Sequence, residues 1–436
     1  GGGFAGTYAA MQLRAAARAG HRITLVSDEN FMQYQPFLPE VASGTIDPRA
    51  AVVPLRGLLK HAHIVKAEVT SIDHDGRRVR ARAVDGRTLT LDYDVLVLTA
   101  GSWSRVLPVP GLAEVGVGFK TIQEAIWLRN HVLARLDAAT QADDPDRRRA
   151  LLTFVFVGAG YAGVEALAEL EDLIRDALKV YPTIYPRDLR WVLVEAGPQI
   201  LPELPADLAA YASGLLTERG IEVCVGTRLD SAEGAVMRLS DGTEFAAETL
   251  VWTAGVKPSP LAGLSGLPLD ERGRVRTSAE LRVHGLDDAW AAGDIAAVPD
   301  LVMGGFSPPT AQHAMREGRR LGRNLSAVLT GEGNVEPFIW RNVGGVCSLG
   351  RYQGVADIFG VKLKGFPAWF LARSYHLYAL PTIGRRVRIA VDWAVALLFP
   401  RDISQLGSFE HPREPFQRAA GSKPARPPEV PKDPKK

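Results

Sequence analysis

Leu151-Leu152-Thr153-Phe154-Val155-Phe156-Val157-Gly158-Ala159-Gly160-Tyr161-Ala162-Gly163-Val164-Glu165 decides how the rest of the chain is read. Its first seven residues form a continuous apolar run of the kind that makes a strand buried on both faces. The run feeds a Gly-x-Gly-x-x-Gly turn, and Val164-Glu165-Ala166-Leu167-Ala168-Glu169-Leu170 beyond it reads as helix. In that setting each glycine has a task. Gly158 makes the tight turn, Gly160 lets backbone N–H groups approach a pyrophosphate, and Gly163 lets helix pack on strand. The helix N-terminus adds partial positive charge toward the phosphates. A second strand, Trp191-Val192-Leu193-Val194, ends at Glu195, whose carboxylate is placed to accept from a ribose 2′-hydroxyl. Glu195 lies beyond the usual spacing of about 20 residues; an elongated helix and loop through Tyr181-Pro182-Thr183-Ile184-Tyr185-Pro186 accounts for the excess. A carboxylate there favours NADH over NADPH, because a 2′-phosphate would meet a like charge.

The same fingerprint stands at Gly1-Gly2-Gly3-Phe4-Ala5-Gly6. An Ala-rich helix is expected over residues 7–20 and a strand over His21-Arg22-Ile23-Thr24-Leu25-Val26. The chain starts on the turn itself, so a first strand is expected upstream of Gly1. Ser27 occupies the position where an acid is expected, and Asp28 and Glu29 follow; either acid can reach an adenosine ribose, with Asp28 favoured. One such turn alone is also what an ordinary glycine bend looks like. Two in one chain, each followed by helix, suggest two nucleotides held face to face, an arrangement that resembles a flavoprotein passing hydride between FAD and a nicotinamide.

Composition narrows the alternatives. A chain of 436 residues suits two to three domains. Its 23% charged and 46% hydrophobic residues are ordinary for a soluble α/β protein, and a net charge of +2 gives no reason to invoke nucleic acid. Cys224 and Cys347 stand far apart, form no metal or redox motif, and read as buried small hydrophobes. No run of about 18 uncharged apolar residues is present, so no transmembrane helix is expected.

Along the chain, Asp75-Gly76 and Asp85-Gly86 turns link short alternating segments into an antiparallel insert. Residues 121–139 read as helix and residues 143–149 as a charged loop. The Leu98-Thr99-Ala100-Gly101 strand end returns as Trp252-Thr253-Ala254-Gly255, and Ala289-Trp290-Ala291-Ala292 ends in Gly293-Asp294. The fold class expected is α/β, with two Rossmann-like domains, the first interrupted by the second, and a C-terminal amphipathic helical region. Boundaries are placed at 1–112 and 255–334 for the FAD domain, 113–254 for the NADH domain, 335–412 for the C-terminal region and 413–436 for a disordered tail.

This order of motifs resembles the two-dinucleotide-binding flavoprotein (FAD-dependent pyridine nucleotide-disulfide oxidoreductase) superfamily, and within it the type II, non-pumping NADH:quinone oxidoreductases. The narrower resemblance rests on Tyr34-Gln35-Pro36-Phe37-Leu38-Pro39-Glu40, on residues 158–165, on Pro309-Thr310-Ala311-Gln312-His313-Ala314 and on Leu398-Phe399-Pro400-Arg401-Asp402. It implies FAD on Gly1, Gly3 and Gly6, beside Ala100 and Gly101, with Asp294 of the Gly293-Asp294 pair on the ribityl chain. NADH then lies on Gly158, Gly160 and Gly163, and two electrons pass to a membrane quinone. The resemblance further implies that Glu165 faces flavin and nicotinamide and relays protons, and that Gln312 with Ala311 lines the quinone pocket. The plainer readings are a carboxylate near a helix N-terminus and a polar first-turn residue. His313 is expected at the surface, Lys120 and Glu124 receive no role, and Gly345 and Tyr352 are placed at the tunnel mouth. Residues 7–100 hold no cysteine, so the dithiol of the disulfide reductases is missing.

Residues 366–381 and 385–399 mix aromatic and aliphatic side chains with Arg373, Arg385, Arg386 and Arg388. Such segments suit helices lying in the headgroups of an anionic leaflet, and equally helices packed on the core or in a homodimer interface. The resemblance favours the membrane, at the cytoplasmic face. Two further readings stay open: an NADH- and FAD-binding redox sensor, and a soluble reductase for a small electron-carrier protein.

Overall fold

The computed structural model describes residues 1–405; the tail expected to be disordered lies outside the described residues. Its organising element is the strand Thr153–Val157, buried along its whole length. Parallel pairing sets Arg190–Glu195 on one side and Thr249–Trp252 on the other, and Ile221–Val225 and Gly116–Gly118 complete a five-stranded parallel sheet. The helix Tyr161–Ala177 covers it through Val164, Leu167, Leu170 and Ile174, a repeat of three and four residues that builds one apolar face.

A second unit is assembled from the segments on either side of this one. Thr24–Ser27 pairs parallel with His63–Asp73, which continues into the antiparallel strands Arg78–Ala83 and Thr88–Asp92. Leu96–Leu98 pairs parallel with Ala289–Ala291, so segments nearly two hundred residues apart meet. The helix Ala311–Thr330 lies tightly on Phe4–Gln12. A Cβ on Gly318 would fall 2.2 Å from the Ala5 carbonyl oxygen, so glycine sets the closeness of that crossing. The crossing carries the N-terminus of Ala311–Thr330, and Gln312 with it, toward the first glycine turn.

Beyond residue 340 a three-stranded antiparallel sheet (Gly344–Ser348, Gly354–Ile358, Val361–Lys364) leads to the helices Phe366–Ala379 and Ile383–Leu398. No helix among the described residues is long and apolar enough to cross a membrane. Two local expectations change. Residues 145–151 form a helix, Pro145–Leu151, where a charged loop was expected: Asp144 caps it and Pro145 supplies the preset φ of a first helical residue. The Ala-rich helix divides at Leu13 into Phe4–Gln12 and Arg14–Arg18.

Candidate active site

The two glycine turns share one stereochemistry. A Cβ on Gly6 would sit 1.9 Å from the Gly1 carbonyl oxygen, and one on Gly163 would sit 2.0 Å from that of Gly158. Gly3 and Gly160 differ: no atom lies within 4 Å of the position a Cβ would take. Both are helix N-caps without a side-chain capping bond, so the first-turn N–H groups of Phe4–Gln12 and Tyr161–Ala177 have no such partner. An opening of this kind at a helix N-terminus fits a pyrophosphate. Thr99 Oγ1 donates to the Gly1 carbonyl (3.3 Å) and Thr253 Oγ1 to that of Gly158 (2.7 Å), which gives the repeated Thr-Ala-Gly strand ends a common purpose.

Both turns line one cavity. It continues between Thr24–Ser27 and Leu96–Leu98, which are not paired with each other. At the second turn Glu195 accepts from the Ala159 N–H and the Gly197 N–H, both at 2.7 Å, and each oxygen keeps a lone pair for a hydroxyl. At the first, Glu29 accepts from Gln123 Nε2 (2.7 Å) and pairs with Lys66 (3.7 Å), which leaves Asp28 the freer carboxylate in the wall.

Asp294 reaches the same cavity from the end of the Ala289–Ala291 strand. Ser102 Oγ donates to its Oδ2 at 2.5 Å, and Lys120 Nζ lies 2.6 Å from that hydroxyl and 3.8 Å from the carboxylate. Burial lowers the Lys120 ammonium pKa, while Asp294 and Glu124 oppose the shift. Lys120 was passed over in the sequence. The available signal was its place before the Thr121-x-x-Glu124 capping box, which starts the helix Ile122–Gln141 at the cavity wall. Glu317 was missed as well. It is fully buried and accepts the Gly293 N–H at 2.7 Å, so it fixes the turn that presents Asp294.

Glu165, Gln312 and Gly345 meet in this cavity, joined by His376 and Tyr161. Glu165 accepts the Ser348 N–H at 2.9 Å; burial, with Glu169 and Glu40 nearby, pushes its carboxyl up to about 8 despite that bond. Gln312 Oε1 is buried and has no protein partner. His376 Nδ1 lies 3.3 Å from the Tyr34 hydroxyl, and burial lowers the imidazole to about 4, so it is neutral at pH 7. Tyr352 does not line the cavity and packs instead on Trp369. His313 is buried, not at the surface: Thr310 holds its Nδ1 at 2.8 Å, and the residue lines this same cavity. Cys347 is buried as expected, whereas Cys224 is only partly buried.

Residues 1–318 match the pyridine nucleotide-disulphide oxidoreductase family. The chain is 31% identical over 415 residues to the type II NADH:quinone oxidoreductase Ndh of Mycobacterium tuberculosis, covering 92% of this chain and 88% of that one. It is 29% identical to the type II NADH:quinone oxidoreductase of Staphylococcus haemolyticus, covering 88% and 94%. It belongs to the type II NADH:quinone oxidoreductases of the pyridine nucleotide-disulphide oxidoreductase family. Among solved structures, NDH2 from Plasmodium falciparum in complex with NADH superposes with a TM-score of 0.85 at 18% identity, over 93% of this chain and 98% of that one. A ferredoxin reductase from Rhodopseudomonas palustris reaches 0.62 at 23% identity, over 84% and 80%.

The raised carboxyls of this type II NADH:quinone oxidoreductase have a consequence for stability. Burial carries Glu317 from 4.5 up to about 7, and Glu165 to about 8. A carboxyl raised in the folded state holds its proton there while the unfolded chain has lost it. Its stabilising contribution is therefore complete below pH 4.5 and declines until pH passes the folded value. Each group costs roughly 1.4 kcal/mol per pH unit inside that window. Glu317→Gln is expected to gain on the wild type in thermal midpoint as pH rises from 5 to 8. A constant difference across that range would contradict the assignment.

Proposed function

We propose that this chain oxidises NADH and reduces a membrane quinone, with FAD as the intermediate carrier and without proton pumping. The observation that carries the reading is the single cavity in which two phosphate cradles open beside Glu165 and Gln312. When bound, FAD supplies hydride acceptance from NADH and two-electron delivery to the quinone. The residues position and protonate. Gly160 and its helix N-terminus take the NADH pyrophosphate, and Glu195 the ribose. Gly3 and its helix take the FAD pyrophosphate, Asp28 the adenosine ribose, and Asp294, steadied by Ser102 and Lys120, the ribityl hydroxyls. Gln312 donates its side-chain N–H to a quinone carbonyl. Glu165 carries a proton at neutral pH and supplies it as the quinone is reduced.

Ile383, Val387, Val391, Val395 and Leu398 form one exposed row along the last helix, joined by exposed Phe366, Phe370 and Tyr378. Arg385 and Arg388 flank that row. Apolar side chains bordered by cations favour the bilayer interface over a second copy of the chain, at the cytoplasmic face where NADH is supplied.

The test is NADH oxidation by the flavin-loaded protein with a short-chain quinone. Quinone-dependent turnover of about 10 per second or faster is expected. NADPH is expected to be at least about tenfold poorer in kcat/KM, about 1.4 kcal/mol, from its 2′-phosphate facing Glu195. Flavin bleached by NADH and not reoxidised by quinone would overturn the proposal and favour a sensor or a soluble-partner reductase.

A further inference from the structure

A second, smaller cavity lies apart from the redox site. Arg14 and Arg18 of the helix Arg14–Arg18, Lys60 and His61 just past the helix Leu55–Leu58, and Thr382 before Ile383–Leu398 line an open space of about 690 Å³. Three distant stretches of sequence thus bring three permanent cations and an imidazole to one place. Arg14, Arg18 and Lys60 have no carboxylate partner among the described residues. His61 is held in place by its Nε2, 2.7 Å from the Ala10 carbonyl oxygen. The Thr382 hydroxyl is buried without a hydrogen-bond partner, and it caps no N–H of the 16-residue helix that it begins. Unpaired cations, an unpaired hydroxyl and the open N-terminus of a long helix together suit an oxyanion with several acceptor atoms.

The surroundings indicate what carries that anion. Ile383, next to Thr382 and 76% exposed, begins the apolar row of the last helix, and Tyr378 on the preceding helix is 77% exposed. A ligand here has its phosphate among arginines and its hydrocarbon end beside exposed apolar side chains. We propose that this cavity binds the phosphate of an anionic phospholipid headgroup. This second hold ties the FAD domain to the bilayer and sets the tilt of the enzyme on it. The proposal rests on the membrane-surface reading above and adds to it a contact that the C-terminal helices do not make.

Sedimentation of the flavin-loaded full chain with vesicles tests it. The vesicles are of pure phosphatidylcholine, or of phosphatidylcholine with phosphatidylglycerol. The variant Arg14→Gln/Arg18→Gln/Lys60→Gln is expected to bind the anionic vesicles on the order of a hundredfold more weakly than wild type, and neutral vesicles equally. Thr382→Val, which leaves the charge alone, is expected to lose about tenfold on anionic vesicles. Equal binding of the triple variant and wild type to anionic vesicles overturns the site. A loss in the triple variant with none in Thr382→Val overturns it too, since only bulk charge would then be acting. Wild type that sediments with neither vesicle overturns the membrane-surface reading itself. If inorganic phosphate raises the thermal midpoint of wild type and not of the triple variant, without any vesicle difference, the lipid assignment falls to a free-phosphate site.

Discussion

Gly160→Val is expected to leave the protein folded and flavin-loaded while weakening NADH binding by about two orders of magnitude, roughly 3 kcal/mol. The reasoning turns on where glycine is required by the chain and where only by a ligand. Gly163 is required by the chain: a Cβ there would fall 2.0 Å from the Gly158 carbonyl oxygen and 2.6 Å from Thr253 Oγ1. Any larger residue would break the turn and the packing of helix on strand. Gly160 has φ −73 and ψ −177, extended backbone open to any residue, and nothing within 4 Å of its missing Cβ. The apoprotein therefore has no use for a glycine at 160. A pyrophosphate drawn in by the N–H groups of the Tyr161–Ala177 helix does, and a valine would occupy its place. Flavin absorbance, thermal midpoint and an NADH titration read the three parts separately. Undiminished NADH affinity in Gly160→Val would mean that the pyrophosphate does not lie on this turn. Gly3→Val makes the matching case for FAD.

The same distinction explains how much of this molecule could be read from its sequence. Both turns were legible because each glycine's task is settled within a few residues of it, and the strand and helix that frame the second turn have unmistakable periods. The place of Glu195 was legible for a similar reason, since the strand Arg190–Glu195 ends where its apolar run does. Lys120 was not. Its position depends on Ser102 and Asp294, which reach it from two other segments, and nothing near Lys120 announces them. Glu317 was hidden in the same way, as its partner is a backbone N–H across the domain. His376 stands inside an amphipathic segment, and only the fold turns its ring toward the cavity. The sequence does not place the His313 side chain; the capping hydroxyl of Thr310 holds it in the cavity wall. At Pro145–Leu151 the density of charge masks the Asp144-Pro145 helix-start signal beside it.

Arg401→Met is expected to destabilise the protein by about 3–5 kcal/mol, the usual consequence of removing one partner of a buried ionic cluster. The motif Leu398-Phe399-Pro400-Arg401-Asp402 carried family resemblance with no visible reason, and the structure provides one. The Arg401 side chain is 4% exposed and lies 3.2 Å from Glu169, 3.7 Å from Asp176 and 3.9 Å from Asp172. These three carboxylates recur at helical spacing on one face of Tyr161–Ala177, the helix whose N-cap is Gly160 and whose second turn carries Glu165. Arg373 extends the cluster to Glu40, which also accepts the Trp393 indole N–H at 2.5 Å. The helix Phe366–Ala379 and the segment just past the last helix are thus tied by buried charge to Tyr161–Ala177. Without Arg401 the carboxylates lose their central cation in a dry setting, so they take up protons or the C-terminal segment detaches. A fall in thermal midpoint of roughly 5–10 °C is expected, together with protease cleavage near the last helix while the nucleotide domains stay intact. Arg401→Lys keeps the charge and loses the planar fork, and should fall between the two. A variant Arg401→Met that melts with the wild type would show that solvent reaches this cluster, and that the C-terminal helices are held by apolar contacts alone.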